Sequence, residues 1–103
     1  MVVEEKVREC DCMADFIFDD LVDALRHGRE IEFAYKGRQY SVTNHSGFWY
    51  FCDDTDHILL EELCPFEAKE MLVVKISSIR IGDLTLQQIF DRQAYDRESL
   101  CIL

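Results

Sequence analysis

The run from Gly28 to Thr43, GREIEFAYKGRQYSVT, constrains the fold more than any other stretch of this chain. Ile31, Phe33 and Tyr35 alternate with Glu30, Glu32 and Ala34, the period of a half-buried strand. Lys36-Gly37 supplies a two-residue turn, in which glycine takes the positive φ that such turns demand. That turn sets Tyr35 against Arg38, Phe33 against Tyr40 and Ile31 against Val42. Phe33 and Ile31 then meet apolar partners on their own face, whereas a three-residue bulged turn would oppose Phe33 with Gln39. The predicted element is a tight antiparallel hairpin with one apolar face to cover.

A helix stands ready to cover it. Phe18, Leu21, Val22 and Leu25 fall at helical spacing, with Asp19, Asp20 and Asp23 on the opposite side. Early acids suit a helix N-terminus, and Arg26, His27 and Gly28 form a stop signal. After the hairpin, Asn44-His45-Ser46-Gly47 reads as a four-residue turn into a third strand, 48–52. This loop pairs Val42 with Trp49 and Tyr40 with Phe51, and it turns Phe48 and Tyr50 to a second face. Apolar residues there imply that the face is partly covered, by the C-terminal segment or by another subunit.

Asp53, Asp54 and Asp56 read as a solvated acidic loop, 57–60 as a short fourth strand, and Glu61-Glu62 as a turn. Pro65 suits the first position of a helix over 65–72. Ala68, Leu72, Ile76 and Ile79 would form its stripe, yet β-branched residues leave 73–81 open between helix and strand. Thr85 and Gln88 match a capping box, with Leu84 and Ile89 as its hydrophobic staple, for a last helix from Leu86 to Gln93. The fold expected is α+β: an N-terminal helix on a three- or four-stranded antiparallel meander, closed by short C-terminal helices. Residues 1–103 form one domain, with 1–12 as a lead and 94–103 as an apolar tail.

The order helix, Gly-Arg-Glu-Ile-Glu-Phe-x-Tyr-x-Gly, Tyr-Ser-x-Thr-Asn and a Trp-containing strand resembles a group of small uncharacterised bacterial proteins. The likeness spans residues 16–92. It implies an α+β domain and carries over no activity, ligand or functional residue.

Charge narrows the partners. The net charge is −10, from 21 acids and 11 bases, which opposes binding to phosphate backbones and to polyanionic membrane surfaces. Residues 1–28 hold eight acids against three bases and residues 51–70 hold seven against one, so a basic partner would be drawn to those segments. No run approaches a membrane span, and the charged N-terminus lacks the apolar stretch of a signal peptide. The expected location is cytoplasmic, with Cys10, Cys12, Cys52, Cys64 and Cys101 reduced.

Candidate chemistry is sparse. Cys10, Cys12, Cys52, His57 and Cys64 are zinc-type ligands without zinc-type spacing, so burial is the expected role of Cys52 and Cys64. Asp53, Asp54 and Asp56 lack the glycine and terminal glutamate of a calcium loop. Ser41, Ser46, His45 and His57 occupy no strained elbow. Glu30 and Glu32 share a strand face on which Arg29 and Arg38 would pair with them. No metal, cofactor or catalytic residue is expected. The function expected is a protein-interaction or structural module that self-associates, for instance as a homodimer; the alternative is an acidic immunity protein or antitoxin covering a basic enzyme. The interaction surface expected comprises Phe48 and Tyr50, the acids Asp19, Asp20, Asp23, Asp53, Asp54 and Asp56, and the tail residues Leu100 and Ile102.

Overall fold

The hairpin forms as β1 (Ile31–Tyr35) and β2 (Arg38–His45), with Ile31 opposite Val42, Phe33 opposite Tyr40 and Tyr35 opposite Arg38. Lys36 and Gly37 both take positive φ, 52° and 81°, as a type I′ turn requires. The computed structural model from which this register is taken describes residues 16–103.

β2 runs through the turn expected at Asn44. The chain reverses only at Ser46 and Gly47, again a pair at positive φ, and β3 (Phe48–Asp53) follows. Val42 therefore faces Phe51, Asn44 faces Trp49 and Tyr40 faces Asp53, a slip of two residues from the expected pairing. An even slip keeps each side chain on its face, so Trp49 and Phe51 are still core residues.

β4 (Ile58–Pro65) is eight residues long and passes straight through Glu61 and Glu62, where a turn was expected. Pro65 closes this strand instead of opening a helix. At a sheet edge a missing N–H breaks no ladder, which is why proline is tolerated there. The pairing with β3 is interrupted twice, between Trp49 and Tyr50 and between Phe51 and Cys52, leaving Leu63 and Leu60 as the extra residues of two bulges.

The expected tail is the fifth strand. β7 (Asp96–Ile102) lies antiparallel beside β1, so the sheet order is β4-β3-β2-β1-β7 rather than a meander of three or four. Ile31 faces Ile102 and Glu32 faces Cys101; past an irregularity, the Ala34 N–H donates to Ser99 Oγ (2.7 Å). The Leu103 N–H donates to Glu30 O (2.7 Å) and ties off the end. Leu100 and Ile102 alternate with Ser99 and Cys101, the strand period that 94–103 carried unread.

Helices cover one face of this sheet. α1 (Phe18–Arg26) buries Phe18, Leu21 and Leu25. Its first turn is satisfied by two carboxylates: Ile17 N–H donates to Asp20 (3.0 Å), and Phe18 N–H donates to Asp91 (3.1 Å) at the end of α3 (Leu86–Asp91). Gly28 is required both by φ +80° and by space, because a Cβ there would lie 3.4 Å from the Phe66 ring. α2 (Lys69–Ser78) begins four residues after Pro65 and resolves the open segment: Leu72, Ile76 and Ile79 are buried, as the stripe predicts. β5 (Arg80–Ile81) and β6 (Leu84–Thr85) form a separate two-stranded ribbon. The capping box is present in both directions, Gln88 N–H to Thr85 Oγ1 (3.1 Å) and Thr85 N–H to Gln88 Oε1 (2.9 Å); α3 ends at Asp91, two residues before the expected Gln93.

The interior is aromatic. The Phe33 ring stacks on Tyr40 (centroids 5.7 Å apart) and meets Phe90 edge-on at 5.1 Å and Tyr95 at 6.4 Å. Tyr95 satisfies its hydroxyl by donating to Phe16 O (2.8 Å). Trp49, fully buried, stacks on Phe66 at 5.4 Å and donates its indole N–H to Phe66 O (3.2 Å). Among the described residues, no helix is long and apolar enough to cross a membrane.

Two substitutions test this architecture by urea denaturation. Leu100→Ala should cost about 2–5 kcal/mol, the price of a cavity beneath β7. Thr85→Ala should cost about 1 kcal/mol through the lost cap. A Leu100→Ala variant as stable as the parent would mean that β7 is not seated on this core.

Candidate functional site

The acidic loop is built around one carboxylate. Asp53 is not solvated: it ends β3 on the core face, 6% exposed, and its Oδ2 accepts from Arg38 Nε (3.1 Å) and Nη2 (2.7 Å). Its Oδ1 accepts the N–H groups of Thr55 (2.9 Å) and Asp56 (3.3 Å), and Asp56 also takes a bond from Arg38. The Gln39 N–H donates to Thr55 Oγ1 (2.7 Å), completing the clasp between the loop and β2. The Arg38 guanidinium holds the Asp53 carboxyl below the usual carboxylate range against the opposing effect of burial, and the two carboxylates push Arg38 further up. Arg38 is thus the loop's clamp and not a cross-strand partner of Glu32. Asp53 leaves the expected interaction surface; Asp54 and Asp56 stay at the rim, half-buried and exposed.

The other expected site residues are scattered. Glu30 precedes β1, and its carboxylate accepts the Asn44 N–H (3.0 Å), so it is no carboxylate pair with Glu32; Arg29 reaches Ile102 O (3.5 Å). His45 is exposed at the end of β2, and His57 ends the acidic loop at φ 57°. Among the described residues, no three His, Cys, Asp or Glu side chains converge in a metal-binding group. Cys10 and Cys12 lie outside the described residues. Cys52 and Cys64 are free thiols pushed up chiefly by burial, while Cys101 is disulfide-bonded, which corrects the expectation of five reduced cysteines.

Phe48 and Tyr50 are half-buried on the second face of β3. The C-terminal segment does not lie over them, since it extends the sheet at its far edge. Leu100 and Ile102, expected as tail contacts, are buried in the chain's own core and offer no surface.

Two other surfaces take their place, one apolar and one mixed. The first is the rim of β4, where Ile58, Leu59 and Leu60 are 47%, 56% and 46% exposed in succession. Asp54 and Asp56 precede them and Glu61 and Glu62 follow. The second is a groove of ≈ 510 Å³ between α1 and α2, with Phe18, Val22 and Val73 as apolar walls. Asp19 and Asp23 line the α1 side, one turn apart, and Arg26 lies one turn further on. Of the acids expected at an interaction surface, Asp19 and Asp23 therefore belong to a concave feature. Asp20 does not, because its carboxylate is engaged at the helix start.

Sequence reasoning passed over both surfaces for one reason. Ile58-Leu59-Leu60 and Met71-Leu72-Val73-Val74 are unbroken apolar runs, in which periodicity does not separate the exposed residues from the buried ones. The signal for the first run was its position between Asp54 and Asp56 on one side and Glu61 and Glu62 on the other; the second, between Glu70 and Lys75, carries no such signal. Compared with models of known protein families, with curated proteins and with solved structures, the chain matches none.

The Asp53 clasp sets a pH dependence. A carboxyl held below its ordinary value stabilises the fold fully above the ordinary carboxylate pKa of about 4, and that contribution is lost as pH falls through the folded value. Asp53→Asn should therefore lower the urea midpoint at pH 7, and the gap to the parent should close below about pH 4. A gap that stays constant down to pH 2.5 or so would show that the ionised form of Asp53 carries no stability.

Proposed function

We propose that this chain is a protein-interaction module that acts by binding rather than by catalysis, and that it self-associates through the rim of β4. The observation that carries the reading is the succession of three half-exposed aliphatic side chains, Ile58, Leu59 and Leu60, at a sheet edge. Contiguous exposed apolar surface on a small domain marks an interaction site more often than scattered single residues do.

Side chains, and not the backbone, make this contact. An open edge strand invites another strand, but β4 is bulged at Leu60 and Leu63, ends in Pro65 and carries Glu61 and Glu62. Those are the devices by which edges resist continuous sheet extension. Burying three half-exposed aliphatic side chains on each of two copies supplies roughly 1 kcal/mol apiece. Set against an association cost of about 4–15 kcal/mol, the sum supports a weak dimer only. Net charge of −10 on each copy weakens it further at low salt, where repulsion is unscreened.

We place the chain in the cytoplasm, where the free thiols of Cys52 and Cys64 belong; the disulfide at Cys101 is the feature that points the other way. Its acidity supports no role with nucleic acid.

Sedimentation from about 10 μM to about 1 mM should reveal a monomer–dimer equilibrium. Raising salt from about 0.05 to about 0.5 M should strengthen it, and Leu59→Lys should abolish it without changing the urea midpoint. A monomer under all of these conditions overturns self-association.

A further inference from the structure

α2 carries apolar residues around its whole circumference, Met71, Leu72, Val73, Val74 and Ile76, yet buries only Leu72 and Ile76. Apolar residues on more than one face of a helix ordinarily have more than one neighbour to pack against. Here Val74 is 67% exposed and Met71 50%, beside a groove whose second wall is α1. Phe18, Val22 and Val73 are thus the apolar part of the groove, and Val74 follows Val73 directly on α2 as exposed apolar surface.

The charges along this groove are ordered. Asp19 and Asp23 occupy its N-terminal two turns of α1 and Arg26 its last, with Ser77 of α2 and Gln87 of α3 as neutral lining. Asp19 forms no hydrogen bond or ion pair among the described residues, and Asp23 approaches only His27, at 3.8 Å. From these features we infer that the groove between α1 and α2 docks a cationic amphipathic helix presented by a partner protein.

Each part of the occupant answers to part of the groove. Phe18 and Val22 of α1, at i, i+4 spacing, and Val73 of α2 receive a helix in the helix-in-groove mode, its apolar stripe seated on Val22 and Val73. Its lysines or arginines lie against Asp19 and Asp23. A second copy of this chain is a poor occupant, since it brings the same acidic surplus. A small apolar ligand inside the groove would leave Val74 and Met71 bare. The site shares no residue with the β4 rim, so the failure of either proposal leaves the other standing.

The test titrates the full-length protein with a labelled amphipathic leucine/lysine helical peptide and follows fluorescence anisotropy. Saturable binding is expected, weakening about tenfold between about 0.05 and 0.3 M salt, opposite in sign to self-association. Asp19→Asn with Asp23→Asn should weaken binding about tenfold, and so should Val22→Lys. Arg26→Gln removes the lone base from the groove and should tighten binding about two- to threefold. Glu61→Gln with Glu62→Gln, an equal change in net charge elsewhere, should leave affinity within about twofold. The exposed positions of these acids and of Arg26 allow the variants to fold, which an unchanged urea midpoint verifies. Equal loss with both acid pairs, equal affinity for a scrambled peptide of the same composition, or no saturable binding would each overturn the assignment.

Discussion

The burial of Phe33 is the constraint on which this structure depends. It sits on β1, between β2 and β7 in the helix-covered sheet, and its ring touches three other rings drawn from different parts of the chain. Tyr40 belongs to the same hairpin, Phe90 to the last helix, and Tyr95 to the approach to β7. One aromatic cluster thus couples local structure to the most distant segments. A second joint, Trp49 on Phe66 with Phe66 against Gly28, locks the exit of α1 to the entry of α2. Neither joint tolerates independent movement of the helices over the sheet, because close-packed interiors accommodate volume changes poorly.

What was legible from the residues alone follows from this arrangement. The hairpin register, the α1 stripe and the Thr85–Gln88 cap are set by contacts between near neighbours, and each was read correctly. The second hairpin came out on the right face and in the wrong register, because Ser46-Gly47 was not recognised as a second two-residue turn of the Lys36-Gly37 kind. The place of β7 depends on a pairing with β1 some seventy residues away. No periodicity in 94–103 names its partner. Asp53 was misread for a similar reason: its role exists only once β2 brings Arg38 alongside.

The same logic divides the candidate surfaces. Residues chosen from the sequence for being apolar and terminal, Leu100 and Ile102, turned out to be core; Ile58 to Leu60, read as a short strand and not as a surface, turned out to be rim. Burial is a property of the finished sheet. The charge on α1, by contrast, was legible, since Asp19 and Asp23 remain exposed on the side of the helix away from its apolar stripe. The two proposed contacts consequently differ in their physics. One gathers apolar side chains against a like-charged surface, and the other joins apolar contact to opposite charge, so ionic strength moves them in opposite directions.

The position of β7 bears on how the protein is made. β1 lies second from the edge in the finished sheet, yet its outer neighbour is contributed by residues 96–102, synthesised long after it. Until residues 96–102 have left the ribosome, a hairpin of β1 and β2 presents an unpaired edge with Ile31 and Phe33 behind it. Nascent chains in that state are the species that chaperones hold and that cross-pair with one another. Premature termination shortly after α3 would thus release a chain with most of its core and no seal, a more hazardous product than one interrupted before the hairpin.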